Sequence, residues 1–158
     1  MKVLGQAIEN STNWNALTGY GHSISGTGKN LTFVDVAYNI SDNVGFVVGY
    51  DYLWANHQVG SFNAVKGGVN LQTTIHPFAF LGSTALTNIL VQPFVADLLA
   101  TPQGSGNIGN IVTTGVNWDF FSFKNFALGA GIQYENRTGQ GNWDGNYILG
   151  HIAISRKF

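Results

Sequence analysis

Four histidines, His22, His57, His76 and His151, are the side chains of this chain best suited to move protons near neutral pH. Two of them stand near serines: "GHSIS" sets His22 beside Ser23, and "GHIAIS" sets His151 four residues before Ser155. A serine nucleophile needs a histidine within hydrogen-bond reach and a carboxylate to orient it. Nearness along the chain does not supply that geometry. No two histidines have the H-x-H or H-x-x-x-H spacing of a metal site. "GTGKN" lacks the frame of a phosphate-binding loop, and the chain has no cysteine for a disulfide, zinc finger or iron–sulfur cluster. No catalytic, metal or cofactor site is expected.

The acids and one lysine carry more information. Asp35, Asp51 and Glu135 each interrupt a largely apolar or glycine-rich segment, as does Lys66. Within their segments they fall on the face opposite the large apolar residues. Charges removed from water must be paired. If these segments enclose a common interior, Asp35, Asp51, Lys66 and Glu135 form a polar network there.

The segments that must position them alternate with period two from end to end. In "LTFVDVAYNI", Thr32, Val34, Val36, Tyr38 and Ile40 share one face, and Asp35, Ala37 and Asn39 share the other with Leu31 and Phe33. In "VGFVVGYDYLW", Val44, Phe46, Val48, Tyr50, Tyr52 and Trp54 oppose Gly45, Val47, Gly49, Asp51 and Leu53; with the intervening "SDN" the two read as a hairpin. "AVKGGVNLQTTIHPF" and "FALGAGIQYENRT" alternate as well, "NIVTTGVNWDF" less cleanly, and "WNALTGYGHSI" suits a first strand. "NILVQPFVADLLA" is apolar on both faces and contains Pro93, which belongs at an edge or bulge of a sheet and would break the rival helix over Ala79 to Leu99. The reading gives about eight strands of roughly 9–12 residues, the length that crosses a bilayer at a tilt.

Composition bears on what surrounds the sheet. Charged residues make up only 9% of the 158 residues, against about 25% in an ordinary soluble domain. The seven basic residues are scattered, which argues against nucleic acid as a partner. No apolar run approaches the roughly 18 residues of a spanning helix. The polar faces are built of Gly, Asn, Gln, Thr and Ser, suited to the crowded inside of a narrow barrel. The apolar faces are rich in Val, Ile and aromatics, with Tyr52, Trp54, Trp118, Tyr134 and Phe158 near strand ends, where membrane-interface rings sit. In lipid only helices and closed barrels satisfy every backbone group. The expectation is therefore all-β: a closed antiparallel up-and-down barrel of about eight transmembrane strands, forming one domain over residues 1–158. The alternative is a soluble lipocalin-like barrel that holds a small apolar ligand.

"LVQPFVADLL" resembles the L-x-P-Y-V-G-A-G strand of small outer-membrane β-barrels of the OmpA/OmpX/OmpW-like kind, "FALGAGIQYE" resembles their penultimate strand, and "HIAISRKF" resembles their closing strand with its terminal aromatic. The resemblance implies a bacterial outer-membrane location, with any signal peptide removed. It also implies that Ile152, Ile154 and Phe158 form the C-terminal signal read by the barrel-assembly machinery; Arg156 departs from that pattern. Membrane lipids are the expected partners, with copies of the chain or a larger membrane assembly as further possibilities, and the role is structural or interactive around a lumen filled by polar side chains. Some such barrels modify lipid A, but neither His–Ser segment has the His-x-Ser-Asn pattern of the deacylases. Trp143, in "GNWDGN", is expected at a loop tip, either packed over the barrel rim or reaching toward a partner.

Overall fold

The computed structural model describes residues 13–24, 28–55, 61–82, 89–102 and 108–157. The alternating segments form eight strands: β1 (Asn13–Ser23), β2 (Lys29–Asn39), β3 (Val44–Ala55), β4 (Ser61–Gln72), β5 (Leu90–Pro102), β6 (Gly109–Phe123), β7 (Phe126–Thr138) and β8 (Gly145–Lys157). Each pairs antiparallel with its sequence neighbour, and β1 pairs with β8 from Asn13↔Lys157 to Ser23↔Tyr147, so the sheet closes in up-and-down order. The strand lengths run from 11 to 15 residues, enough to cross hydrocarbon at the usual barrel tilt, which needs about 9–11.

Short connections gather at one end. At "SDN", the Ser41 hydroxyl accepts from the Asn43 and Val44 amides at 3.3 and 3.1 Å, while the Ile40 amide donates to the Val44 carbonyl at 3.0 Å. Between β6 and β7 only Lys124 and Asn125 turn the chain, and Lys124 takes a left-handed φ of 51°. This turn end also carries the start of β1, the end of β8 and the β4–β5 connection. The other four connections lie at the opposite, loop end.

The β4–β5 region settles the segment that periodicity leaves ambiguous. β4 ends at Gln72, and beyond it Ile75 makes an isolated bridge to Val91. The helix considered over Ala79 to Leu99 is replaced by one 3₁₀ turn, Ala79–Leu81, and by β5. Pro93 lies one residue past the last β4–β5 pair, Gln72↔Phe94, and pairs with Val116 on β6; its nitrogen faces β4, so the missing N–H falls where the β4–β5 ladder ends and costs the β5–β6 ladder nothing. Its carbonyl still accepts from the Thr73 amide at 3.1 Å. β5 is apolar on both faces because its inward residues, Phe94, Ala96, Leu98 and Ala100, fill the lumen while Val95 and Leu99 point outward.

Burial fixes which face is inside. Leu31, Leu53 and Asp51 are fully buried, whereas Val48, Val34 and Ile152 are 64%, 56% and 56% exposed. In a soluble barrel the large β-branched residues would face each other. Here they cover the outside, the reverse of the distribution that the lipocalin-like alternative calls for. The interior departs from expectation in one respect. It is not only small and polar but contains two apolar clusters, one of Ala37, Val47, Ala64, Ala96, Leu98, Ala100 and Ile111, the other of Leu31, Phe33, Leu53, Trp143, Tyr147 and Leu149.

Glycines make room for the larger inward rings. A Cβ at Gly131 would press on the Val116 carbonyl and the His151 ring, and one at Gly19 on the Gly150 carbonyl and the Phe33 ring. The carbonyl contacts matter most, because ladder backbone cannot step aside as a side chain can. Gly131→Val should therefore destabilise the folded barrel by about 1–3 kcal/mol, read as an earlier midpoint in urea unfolding from lipid vesicles. An unchanged midpoint would show that the lumen wall yields.

Candidate functional site: the charged lumen

Five ionisable side chains from four strands meet inside the barrel. Their inward direction follows from strand parity: Asp35 on β2, Asp51 on β3, Lys66 on β4, and Glu135 with Arg137 two residues apart on β7. Lys66 Nζ lies 3.0 Å from Asp35 Oδ1 and 2.8 Å from Asp51 Oδ1. Arg137 donates from Nη2 to Asp51 Oδ2 and from Nε to Glu135 Oε1, the latter at 2.5 Å. The result is an alternating row, Asp35–Lys66–Asp51–Arg137–Glu135, with Asp51 shared by both cations. Rings cover the cations: Lys66 Nζ is 4.9 Å from the Phe33 ring centre, and Arg137 Cζ is 5.9 Å from that of Tyr147. Each charge has its counter-charge in contact, the condition under which such groups can stand out of water.

The four residues expected to share the interior, Asp35, Asp51, Lys66 and Glu135, are thus brought together. Arg137 is the member that the sequence reading missed. The signal was present: Arg137 has the same parity as Gly131, Gln133 and Glu135, but it lies next to the loop, where the alternation stops being obvious.

Of the two placements considered for Trp143, the structure shows the one packed over the barrel rim. It is buried at the loop end, in the short 3₁₀ turn Gly141–Trp143, and stacks on Phe62 with ring centres 6.1 Å apart. Its carbonyl accepts from the Tyr147 hydroxyl at 3.1 Å, and Lys29 Nζ, which donates to the Asn142 carbonyl, lies 5.6 Å from its ring. It caps the lumen above the charged row and does not stand exposed at a tip.

Toward the turn end the interior opens. A cavity of about 60 Å³ is lined by Asp35, Asn70, Thr113 and Gln133 among others, and it shares Gln72 and Gln92 with a wider mouth of about 580 Å³. The Asp35 end of the row therefore faces the open side, and Arg137 and Glu135 face the capped side.

The His–Ser segments do not assemble. His22 points outward, its Nδ1 2.8 Å from Asn30 Oδ1, while the adjacent Ser23 is buried on the inward face. His151 and Ser155 share the inward face but are four residues apart on one strand, about 13 Å. His151 sits edge-on between Phe33 and Phe94, with ring centres 6.5 and 6.2 Å away. His76 lines the turn-end mouth, and His57 lies outside the described residues.

On the outer wall the aromatics form two rows. Tyr52 and Trp54 stack at the loop end with ring centres 5.5 Å apart, Tyr20 lies 5.9 Å from Trp54, and Tyr134 stands farther round. The tyrosine hydroxyls meet polar groups: Tyr20 donates to Asn30 Oδ1 at 2.8 Å and Tyr134 to Asn146 Oδ1 at 2.7 Å. Toward the turn end lie Trp118 and the Trp14–Tyr38 pair, whose ring centres are 4.6 Å apart. Ile152 and Ile154 are exposed on β8, and the Arg156 guanidinium lies 5.3 Å from the Phe126 ring centre. Phe158 lies outside the described residues.

No family model matches the chain, and no curated protein matches it in sequence. Among solved structures it is similar to a de novo designed transmembrane β-barrel, with a TM-score of 0.54 and 16% identity over 94% of this chain and 96% of that one. Neisserial surface protein A superposes with a TM-score of 0.49 and 19% identity, over 93% and 96% of the two chains. At such identities the likeness is one of fold. The expected fold, a closed eight-stranded antiparallel up-and-down barrel, is what the chain adopts.

Proposed function

We propose that this chain is a bacterial outer-membrane barrel protein with a structural or interaction role, non-enzymatic, its lumen closed by its own side chains. The observation that carries the reading is the inverted distribution of residues: large apolar side chains exposed around the whole outer wall between two aromatic rows, and a paired ionic row inside. Lipid is the surrounding that makes both halves favourable at once. The Trp143 cap and the charged row support closure of the lumen, in keeping with the narrow interior of an eight-stranded barrel. The resemblance of β8 to outer-membrane closing strands supports Ile152, Ile154 and Phe158 as the segment handed to the barrel-assembly machinery.

Expression of the full gene product followed by membrane fractionation tests the location. The protein should enter the outer-membrane fraction, require detergent for extraction and migrate differently in a denaturing gel before and after boiling. A monodisperse protein in detergent-free buffer would refute the reading. In planar bilayers the purified barrel should pass no sustained current; steady open-channel conductance would overturn the closed lumen while leaving the membrane location intact.

A further inference from the structure

Asp97 breaks the rule that the rest of the outer wall obeys. It is exposed in β5, five residues before Pro102 at the loop end and seven after Leu90 at the turn end. Its ladder partners are Val69 on β4 and Val112 on β6, and its outward neighbours along β5 are Val95 and Leu99. Among the described residues, the outward positions of the strands hold one other Asp, Glu, Lys or Arg, and that is Arg156 beside Phe126 near the turn-end row. Asp97 alone stands within the apolar band. No hydrogen bond or ion pair joins its carboxylate to another described residue.

On the membrane reading above, a carboxylate at that depth is costly unless a polar partner reaches it. Among the described residues, none that is basic stands at that depth on the outer wall. A second copy supplies something else. Copies inserted in the same direction are related by an axis along the membrane normal, and a residue on that axis meets itself at the same depth. Two carboxyls so placed can share a proton and hydrogen-bond to each other, because two like charges at contact do not both ionise. The surrounding wall suits such a contact. Gly67, opposite Leu99 in the ladder, leaves a shallow dent between Val65 and Val69, and a Cβ built there would lie 3.5 Å from its nearest neighbour, the Val47 carbonyl. The glycine is thus not required by crowding within the barrel.

We infer that the β4–β6 wall centred on Asp97 is the face through which two copies of this chain associate in the membrane, with the paired Asp97 carboxyls at the centre. The test is energy transfer between donor- and acceptor-labelled copies in phosphatidylcholine vesicles, diluted with lipid, each variant first checked for folding by heat-modifiable migration. The wild type should self-associate. Asp97→Val should weaken association about tenfold, and Thr18→Val, on the opposite wall, should leave it unchanged. Asp97→Lys should associate poorly with itself and more tightly with the wild type. A wild type that stays monomeric at every dilution, or association indifferent to Asp97→Val, would overturn the inference. Failure to enter vesicles at all would instead count against the membrane reading.

Discussion

Lys66→Met should cost the folded barrel about 3–5 kcal/mol, because removing one partner of a buried ionic set leaves the others uncompensated. Lys66 bridges Asp35 and Asp51. Without it, Asp51 keeps Arg137, but Asp35 keeps no cation. Methionine fills most of the vacated volume, so the loss reports charge more than cavity. The companion Lys66→Met with Asp35→Leu should recover a large part of the loss, since the stranded carboxylate goes with its cation. Urea unfolding from vesicles, followed by tryptophan fluorescence, reads both. A Lys66→Met barrel within about 1 kcal/mol of the wild type would mean that solvent in the turn-end cavity already screens Asp35, and that the row contributes little to stability.

Trp143→Ala is expected to be nearly as damaging, about 3–5 kcal/mol, the usual range for truncating a buried tryptophan. Its ring closes the cluster of Leu31, Leu53, Tyr147 and Leu149 and stacks on Phe62. Amide exchange at the loop-end halves of β2, β3 and β8 should quicken in this variant. Current through planar bilayers should stay blocked, because the charged row still crosses the lumen beneath the lost cap. If Trp143→Ala conducts steadily, the tryptophan and not the ionic row holds the lumen shut. If its unfolding midpoint is unchanged, the cap is dispensable.

What the sequence made legible follows strand parity. Asp35, Asp51, Lys66 and Glu135 could be assigned to one interior because each sits inside a clean two-residue alternation. Tyr52, Trp54 and Tyr134 could be placed outside for the same reason, and Trp118 despite a less clean alternation in its segment. Arg137 was not legible because parity fades at a loop; for Trp143 the sequence left rim packing and an exposed tip both open, because the choice depends on tertiary packing against Phe62. β5 resisted reading for a different cause: a strand facing hydrocarbon on one side and an apolar lumen cluster on the other has no polar face to mark its period. Asp97 lies in that strand, and without a period its side of the wall could not be assigned.

The seam between β1 and β8 has a consequence for how the barrel must be made. It joins the first strand described to the last, and the contact between Asp51 and Arg137 spans 86 positions of chain. The first does not exist until β8 is present, nor the second until β7 is. Before then, a partial sheet would offer bare edges and half-matched charges to the hydrocarbon, where nothing could satisfy them. On the membrane reading, stepwise threading of single hairpins into lipid is therefore unfavourable for this chain. On that reading insertion is expected to be concerted, with the pairing of β8 to β1 as the committing event.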